Sequence, residues 1–366
     1  MKIMLNFKKI KLFDPVIDSS EKKIIAEVLK SKSWASGSGT GNVYKFEQQM
    51  NQYLGSNECV AVNSGTAALN LSLSLADIKN KEVILPSLSF VSTAHAVILN
   101  GGKPVFVDIE PDTLCINPDE ISNAITKNTK VILPVHFAGM PCNIKKINSL
   151  CKKHNLLLIE DAAHATGSIY DNKKIGTHGT AVCFSFHPVK NLAMPTGGLI
   201  ALNHKKSKQF RKLLDAKRWC GITDRIDSDY DVKDIGWNYY MNEFSAAIGL
   251  VQLKKIDKMN KIRQKNAQKY YQKIKLENKM PITSGCTYHF YWIMVENRDE
   301  FRKNLTKKGI ETGIHYKPIH KMSMYKQKRK LPITDEISKK IVTLPTHPNL
   351  REKDINFIIK CINDFS

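Results

Sequence analysis

The stretch Glu160-Asp161-Ala162-Ala163-His164 follows an apolar run, Leu156 to Ile159, that is typical of a buried strand. About thirty residues after the acids comes a single lysine, in the stretch Phe184-Ser185-Phe186-His187-Pro188-Val189-Lys190. An acid at the carboxyl end of a buried strand lies where open α/β sheets bind their ligands. The two stretches therefore predict an α/β fold whose ligand site contains Asp161 and Lys190.

An aspartate and a lysine in one site are the two protein groups that pyridoxal phosphate (PLP) requires. Asp161 would hold the ring nitrogen protonated, Lys190 would form a Schiff base, and His164 could donate to the ring oxygen. Each residue also has a plainer interpretation. Asp161 could be a helix N-cap, His164 a structural histidine, and Lys190 a surface residue among 48 lysines. The neighbouring Phe184, Ser185 and Phe186 favour the functional interpretation of Lys190.

Short strands and amphipathic helices alternate from about residue 58 to 200. This alternation predicts a mostly parallel central sheet covered by helices. The expected strands are Cys59–Val62, Val83–Leu85, Pro104–Val107, Val131–Leu133, Leu156–Ile159 and Gly198–Ala201. A long helix is expected over about 242–275, followed by shorter strands and helices. We therefore expect a large domain over 10–250 and a smaller α+β domain over 251–366.

The segment from Asn63 to Leu69 joins a predicted strand to a predicted helix and could bind a phosphate. Gly65 permits an unusual turn, Thr66 adds a hydroxyl, and the following N–H groups lie at a helix N-terminus. The alternative is a plain N-cap by Ser64 or Thr66. Phe90 is a candidate ring-stacking partner, with simple core packing as its alternative.

The net charge of +22 raises the question of nucleic-acid binding, but only 8 of the 56 basic residues are arginine. Proteins that recognise nucleic acids favour arginine for bidentate contacts. We therefore expect the lysines to cover solvated surfaces, or to steer an acidic substrate to the protein.

No membrane-spanning helix and no secretory signal at Met1–Lys9 are predicted, so the cytoplasm is the expected location. The eight scattered cysteines predict reduced thiols.

The stretch His315-Tyr316-Lys317-Pro318-Ile319-His320 does not place both histidines on one helix face, and its proline forbids regularity. We therefore expect no metal site there. A loop that contacts substrate, or an inert turn, is the expectation. The candidate substrate-binding residues are Trp34, His187, His315, Tyr316 and His320.

Seven motifs in order resemble the DegT/DnrJ/EryC1/StrS sugar aminotransferases, over about residues 10 to 360. They are N-S-G-T-A-A-L (63–69), P-S-L-S-F-V-S-T (86–93), P-V-H-F-A-G-M-P (134–141), E-D-A-A-H-A-T-G (160–167), F-S-F-H-P-V-K (184–190), G-W-N-Y-Y-M-N-E-F-S-A-A-I-G-L-V-Q-L (236–253) and H-Y-K-P-I-H (315–320). The resemblance implies a fold-type-I PLP enzyme that forms a homodimer with shared active sites. It implies that Lys190 carries the cofactor, Asp161 pairs with the ring nitrogen, His164 contacts the ring hydroxyl and Phe90 stacks. The implied phosphate contacts are Thr66, Ala67, Ser185 and, from the other subunit, Asn238.

The chain departs from the family pattern at three places. Met194-Pro195-Thr196-Gly197-Gly198 replaces G-E-G-G, Tyr240 replaces the arginine of N-Y-R-M, and Cys220 replaces the histidine of R-x-H-G.

The family resemblance predicts transfer of an amino group from L-glutamate to a nucleotide-linked 4-keto-6-deoxy sugar. The alternatives are a 3-keto sugar or cyclitol ketone as acceptor, or a PLP-binding regulatory protein without turnover. Relatives with histidine in place of the lysine are dehydratases, so Lys190 favours the aminotransferases.

Overall fold

The computed structural model describes residues 9–35, 37, 39–325 and 329–365 of the chain. The N-terminal segment 1–8, on which the prediction of no secretory signal rests, lies outside the described residues. Ser36 and Ser38 also lie outside them. None of the helices in the described ranges is both long enough and apolar enough to cross a bilayer.

Strands and helices alternate through the first two thirds of the described chain. The strands are β1 (Glu58–Val62), β2 (Glu82–Pro86), β3 (Lys103–Val107), β4 (Thr129–Ile132), β5 (Leu157–Asp161), β6 (Ile169–Tyr170), β7 (Lys173–Lys174), β8 (Ala181–Ser185), β9 (Gly198–Leu202), β10 (Ile222–Ile226), β11 (Asp229–Val232), β12 (Tyr291–Met294) and β13 (Ile341–Leu344). The helices are α1 (Ser19–Ser31), α2 (Gly41–Leu54), α3 (Gly65–Leu73), α4 (Ser92–Leu99), α5 (Pro118–Ala124), α6 (Ile144–His154), α7 (Ser207–Arg218), α8 (Glu243–Lys273), α9 (Arg298–Lys307), α10 (Pro332–Lys340) and α11 (Glu352–Phe365).

Seven strands form the central sheet, in the order β1-β9-β8-β5-β4-β2-β3. Strands β3, β2, β4, β5 and β8 run parallel, and β9 runs antiparallel to both β8 and β1. Every residue of β8 and β9 is buried, as expected for strands covered by helices on both faces. The predicted α/β fold with a mostly parallel sheet is therefore confirmed.

Strand β5 extends two residues beyond the predicted end and includes both acids of the E-D-A-A motif. Asp161 is its last residue and pairs in register with Cys183 of β8. The residues after Asp161 form turns, and no helix begins there. The helix N-cap interpretation of Asp161 is therefore wrong, because the chain leaves the sheet in a turn.

In the C-terminal part, β12 and β13 form an antiparallel pair that α9 and α10 contact, and α11 packs against α8 and α9. One hydrophobic cluster runs from Ile84 and Leu158 of the sheet to Phe290 and Ile358, so the two regions share a core. Helix α8 begins after Asn242, whose side chain caps the Ser245 N–H, and continues unbroken to Lys273. The predicted boundary between residues 250 and 251 falls inside α8, and the two-domain division stays a prediction.

A buried ion network holds α2, α7 and β1 together next to the loop that leads into α3. The Glu47 carboxylate is fully buried and accepts from Arg218 Nη1 at 2.6 Å and Arg211 Nη2 at 2.5 Å. It also accepts from the Ala61 N–H of β1 at 2.8 Å. Because β1 ends just before the Ser64–Thr66 turn, this network fixes the position from which α3 starts.

Glu47→Ala should lower the free energy of unfolding by about 3–5 kcal/mol. It removes the fully buried counter-charge of Arg218 and leaves the partly exposed Asp215 as the remaining carboxylate beside the guanidinium among the described residues. Urea denaturation of the purified variant measures this loss. The control is Glu27→Ala on the exposed face of α1, which should change the stability by less than ~0.5 kcal/mol. Equal effects of the two substitutions would show that the network does not stabilise the fold.

Candidate active site

A cavity of about 360 Å³ opens at the carboxyl ends of β5 and β8. Its walls come from the N-terminus of α3, the turn before α4, the loop between β8 and β9, and the segment after α9. The lining residues include Ser64, Gly65, Thr66, Phe90, Thr93, Asp161, His164, Ser185, His187, Lys190, His315 and Tyr316. The parallel sheet therefore gathers motifs that lie more than two hundred residues apart into one site, as expected for this class of fold.

Lys190 lies in the loop between β8 and β9 and reaches the cavity. The loop folds back on itself, because Phe186 N–H donates to Gly197 C=O and Met194 N–H donates to Phe186 C=O. Burial lowers the pKa of Lys190 to about 8, and the Asp161 carboxylate opposes that shift. A larger fraction of the Lys190 amine is therefore deprotonated near neutral pH than in an ordinary lysine, and the deprotonated form is the one that attacks a carbonyl carbon.

Asp161 is buried at the base of the cavity and is held by two donors. Thr93 Oγ1 donates to Oδ2 at 2.9 Å, and the Ala163 N–H donates to Oδ1 at 3.1 Å. Burial raises the pKa of Asp161, while the two donors and the nearby Lys190 favour the charged form. A buried carboxylate of this kind gains most from a cation placed against it, and a protonated pyridine nitrogen is such a cation.

His164 and Tyr316 form a hydrogen-bonded pair whose proton positions can be assigned. The Ala138 N–H donates to His164 Nδ1 at 3.3 Å, so Nε2 carries the ring proton. His164 Nε2 lies 3.0 Å from the Tyr316 hydroxyl oxygen and donates to it. The hydroxyl hydrogen of Tyr316 is then available to a group in the cavity.

The imidazoles around the cavity are neutral. Burial, reinforced by the charge of Lys190, holds the pKa of His164 well below its usual value. The same causes lower the pKa of His315 to about 3, and its Nδ1 bonds Thr343 Oγ1 at 2.7 Å. The exposed His187 also lines the cavity, and partial burial beside Lys190 lowers its pKa. The positive charge of the site is therefore concentrated on Lys190.

Phe90 is 58% exposed and presents its ring to the cavity. Its ring centroid lies 6.2 Å from that of Tyr316. The core-packing interpretation of Phe90 is therefore wrong, because a core phenylalanine would be buried. A flat aromatic ligand above Asp161 could stack on this exposed ring.

The opposite end of the cavity fits a phosphate. Ser64 caps α3, with its Oγ accepting from the Ala67 N–H at 3.1 Å. The N–H groups of Gly65 and Thr66 precede the first helical hydrogen bond and are free of helical acceptors. Thr66 Oγ1 and Ser185 stand beside them, and Thr66 bonds Ser92 Oγ at 2.8 Å.

One predicted phosphate contact is not supported. Ala67 does not line the cavity, and its N–H is already bonded to Ser64. The plain N-cap interpretation thus holds for Ser64, while Gly65, Thr66 and Ser185 remain at the cavity.

Two glycines are required by close approaches at this end. A Cβ on Gly65 would lie 2.7 Å from Ser185 Cβ, and one on Gly198 would lie 2.3 Å from the Ser64 carbonyl oxygen. Neither distance is possible for real atoms without displacing β8 or the α3 turn. The second glycine of the Gly197–Gly198 pair therefore brings β9 against the turn that begins α3.

Besides Ala67, three predicted residues lie outside the cavity of the single chain. His320 is buried, with Nδ1 bonded to Ser87 Oγ at 2.6 Å and Nε2 to Asp335 at 2.9 Å, so both ring nitrogens are used within the fold. Its predicted contact with substrate is therefore wrong for this chain. Trp34 is half exposed and packs on Phe244. Asn238 is exposed on the surface and accepts through its C=O from Asn63.

Thr93 and Ser92 are site residues to which the sequence analysis gave no role. Both belong to the quoted motif P-S-L-S-F-V-S-T, and both lie at the start of α4. Thr93 is three residues after Phe90, and its hydroxyl reaches Asp161 from across the sheet. The motif placed them near the site, but only the tertiary structure shows their partners.

Apoprotein and PLP should combine at a rate that rises with pH and levels off above about 8, because the free amine of Lys190 is the nucleophile. Asp161→Asn should move the midpoint to lower pH, because it removes the anion that raises the pKa of Lys190. Stopped-flow absorbance over about pH 6 to 10 gives both midpoints, with N-acetyl-lysine as the reference amine. A rate that keeps climbing towards pH 10 would mean that Lys190 has the pKa of an ordinary lysine.

Comparison with known proteins agrees with this geometry. The model of the DegT/DnrJ/EryC1/StrS aminotransferase family matches residues 15–363. A protein of Methanocaldococcus jannaschii, MJ1066, is 33% identical over 372 aligned positions that cover 96% of each chain; it is described as uncharacterized.

Solved structures of sugar aminotransferases superpose on nearly the whole chain. PseC of Helicobacter pylori, an aminotransferase involved in the biosynthesis of pseudoaminic acid, gives a TM-score of 0.91 at 29% identity, covering 98% of this chain and 99% of PseC. The putative sugar aminotransferase Spr1654 of Streptococcus pneumoniae, in its pyridoxamine phosphate form, gives 0.91 at 26% identity and 98% coverage of both chains. CalS13 of Micromonospora echinospora, a sugar aminotransferase, gives a TM-score of 0.90 at 27% identity, and the superposition covers 97% of this chain and 99% of CalS13. By sequence and structure the chain belongs to the DegT/DnrJ/EryC1/StrS family of PLP-dependent sugar aminotransferases.

Proposed function

We propose that this aminotransferase moves the amino group of L-glutamate to a 4-keto-6-deoxy sugar linked to UDP, dTDP or GDP. We further propose that the product serves bacterial surface polysaccharide or glycan synthesis in the cytoplasm. The observation that carries the proposal is the pairing of Lys190 with a buried Asp161 in a cavity that has a phosphate-binding end. The name of PseC, an aminotransferase of a sugar pathway, supports an amino-sugar product.

The residues present fit PLP along the whole cavity. Asp161 would hold the ring nitrogen, Phe90 would cover the ring, and Gly65, Thr66 and Ser185 would hold the phosphate. When bound, PLP supplies an electron sink for the bond that is broken at the amino acid carbon.

Lys190 is the acid and base of the proposed reaction. With a pKa of about 8, its amine can both accept and return a proton near neutral pH, which is the condition for efficient general acid–base catalysis. Lys190 would take up the proton released at the carbon that bears the amino group, hold it on Nζ and return it later in the reaction. The neutral His164 and His315 do not compete for that proton.

Asp161 and Tyr316 offer a negative charge and a hydrogen-bond donor next to this proton transfer. The Asp161 carboxylate, fixed by Thr93, would keep a proton on the ring nitrogen of bound PLP and so would stabilise negative charge that develops at the reacting carbon. The Tyr316 hydroxyl accepts from His164, which leaves its own hydrogen available to a group in the cavity. We infer that this hydrogen serves an oxygen of the cofactor or the substrate.

The charges of the cavity favour a site completed by a second subunit. Among the described residues that line it, Lys190 is the one lysine, and no arginine lines it. A dicarboxylate donor and a sugar diphosphate both bring negative charge, which one lysine engaged with the cofactor does not balance. We therefore propose a homodimer in which Asn238 of each chain reaches the phosphate of the partner's site. The net charge of +22 would steer these anionic substrates to the enzyme.

L-Glutamate should shift the absorbance of the PLP-loaded enzyme from the lysine-bound form to that of pyridoxamine phosphate. The Lys190→Ala variant should lack the lysine-bound band and all turnover while keeping its fold, as seen by circular dichroism. Nucleotide-linked 4-keto and 3-keto sugars and a cyclitol ketone would then be offered to the pyridoxamine form. Return of the original band with a 3-keto sugar or a cyclitol alone would contradict the proposed acceptor, and a spectrum unmoved by glutamate would contradict the donor.

Mixing Lys190→Ala with Asn238→Ala chains should restore activity, because a mixed dimer carries both substitutions in one site and neither in the other. An equal mixture should regain about a quarter of the wild-type rate. The control mixes Lys190→Ala with the double variant Lys190→Ala/Asn238→Ala, which should stay inactive. If Asn238→Ala alone binds PLP normally, or if the mixture regains nothing, the shared site is wrong.

A further inference from the structure

A second, much smaller cavity shares Val189 and Lys190 with the active site. It lies between α8, the N-terminal residues Phe13–Val16 and the loop that carries Lys190. Its volume, about 10 Å³, is close to the minimum that holds one water molecule. No role for this cavity follows from the proposed reaction.

Three buried side chains bring unpaired polar atoms to its walls. Arg263 is 4% exposed, and its Nε and Nη1 have no hydrogen-bond partner among the described residues. His347 is 5% exposed with Nδ1 unpaired, and Gln252 is 1% exposed with Oε1 unpaired. Buried polar groups in folded proteins almost always have partners, so these atoms indicate a bound molecule.

The hydrogen-bond roles of the unpaired atoms are fixed by the bonds on the other side of each group. His347 Nε2 donates to the Lys11 carbonyl at 3.0 Å, so its Nδ1 is an acceptor. Gln252 Nε2 donates to the Val16 carbonyl and to Glu21, both at 2.7 Å, so its Oε1 is an acceptor as well. Arg263 offers only donors, because burial lowers its pKa only to about 10 and the guanidinium stays charged.

The bound molecule must therefore both accept and donate. A halide ion would face the lone pairs of His347 and Gln252, and a metal cation would face the charge of Arg263. Water satisfies both kinds of group, because it has two lone pairs and two hydrogens. We propose that one ordered water binds in this cavity between Arg263 and His347, and that Arg263 is thereby a positioning residue for the loop of Lys190.

The same loop has one further tie to α8. Asn191 Nδ2 donates to Asn260 Oδ1 at 3.1 Å, and Asn191 Oδ1 accepts from His289 Nδ1 at 3.1 Å. His289 stacks on His164, with ring centroids 4.6 Å apart. The Asn191 contacts thus hold the residue after Lys190 to α8, and through His289 to the cavity wall. The water site lies against Pro188 and Val189, on the other side of Lys190. This role does not depend on which sugar is the acceptor.

Crystals of the PLP-bound enzyme grown in bromide salt test the occupant directly. The expected result is a density peak within hydrogen-bond distance of Arg263 and His347 Nδ1, without an anomalous signal at the bromine absorption edge. An anomalous peak would identify a halide site and overturn the proposal. Direct contact between the two side chains, with no density between them, would also overturn it.

Hydrogen exchange tests the positioning role in the PLP-bound enzyme. Arg263→Met should speed amide exchange in residues 187–193 about 10-fold relative to β12 and β13, which corresponds to ~1.4 kcal/mol of local opening. Arg263→Lys, which keeps a charged donor, should show a smaller effect, and it serves as the test variant if Arg263→Met does not fold. Arg351→Met, at an exposed arginine, is the matched control and should change nothing in this loop. Unchanged exchange at 187–193, or an equal rise throughout the protein, would contradict the proposal.

Discussion

The active site depends on a buried carboxylate at the end of a central strand, with a lysine amine brought close to it. Asp161 is 5% exposed, and two donors from different parts of the chain hold its oxygens. Burial disfavours its charge, while the same burial lowers the pKa of Lys190. The charge of Asp161 is stabilised by the Lys190 ammonium or by another cation in its place, because an unpaired buried charge costs free energy of folding.

The surroundings keep this pair electrically isolated. His164, His289 and His315 lie close together around Lys190, and burial holds each of them neutral. The stack of His289 on His164, and the bond from His164 to Tyr316, orient these rings through contact without adding charge. A cofactor with a cationic ring nitrogen is then attracted to a single carboxylate, that of Asp161. A reaction that depends on a protonated ring requires such a carboxylate.

Much of this arrangement was predictable from sequence because it follows the periodic pattern of the chain. Apolar runs bounded by polar residues indicated six of the seven strands of the sheet but not β8. The position of Asp161 at a strand end placed it with Lys190. Gly65, Thr66 and Phe90 were expected from local chemistry and do line the cavity. These features depend on residues close in sequence, where strand and turn rules apply.

The remaining features depend on contacts between distant segments. His320 matched a motif, yet Ser87 and Asp335 occupy both of its ring nitrogens. Thr93 matters because its hydroxyl meets a carboxylate 68 positions away. Nothing in the sequence distinguishes Arg263 from the other charged residues of helix α8, and its burial is what sets it apart. Side-chain partners across a core are set by packing, which no local pattern encodes.

The nitrogen-15 chemical shift of the pyridine nitrogen in bound, isotope-labelled PLP tests the central claim most directly. We expect a protonated ring nitrogen across the pH range in which the enzyme is folded, and we expect the nitrogen to lose this proton in Asp161→Asn. An unprotonated nitrogen in the wild-type enzyme, or the same shift in both proteins, would contradict the role given to Asp161.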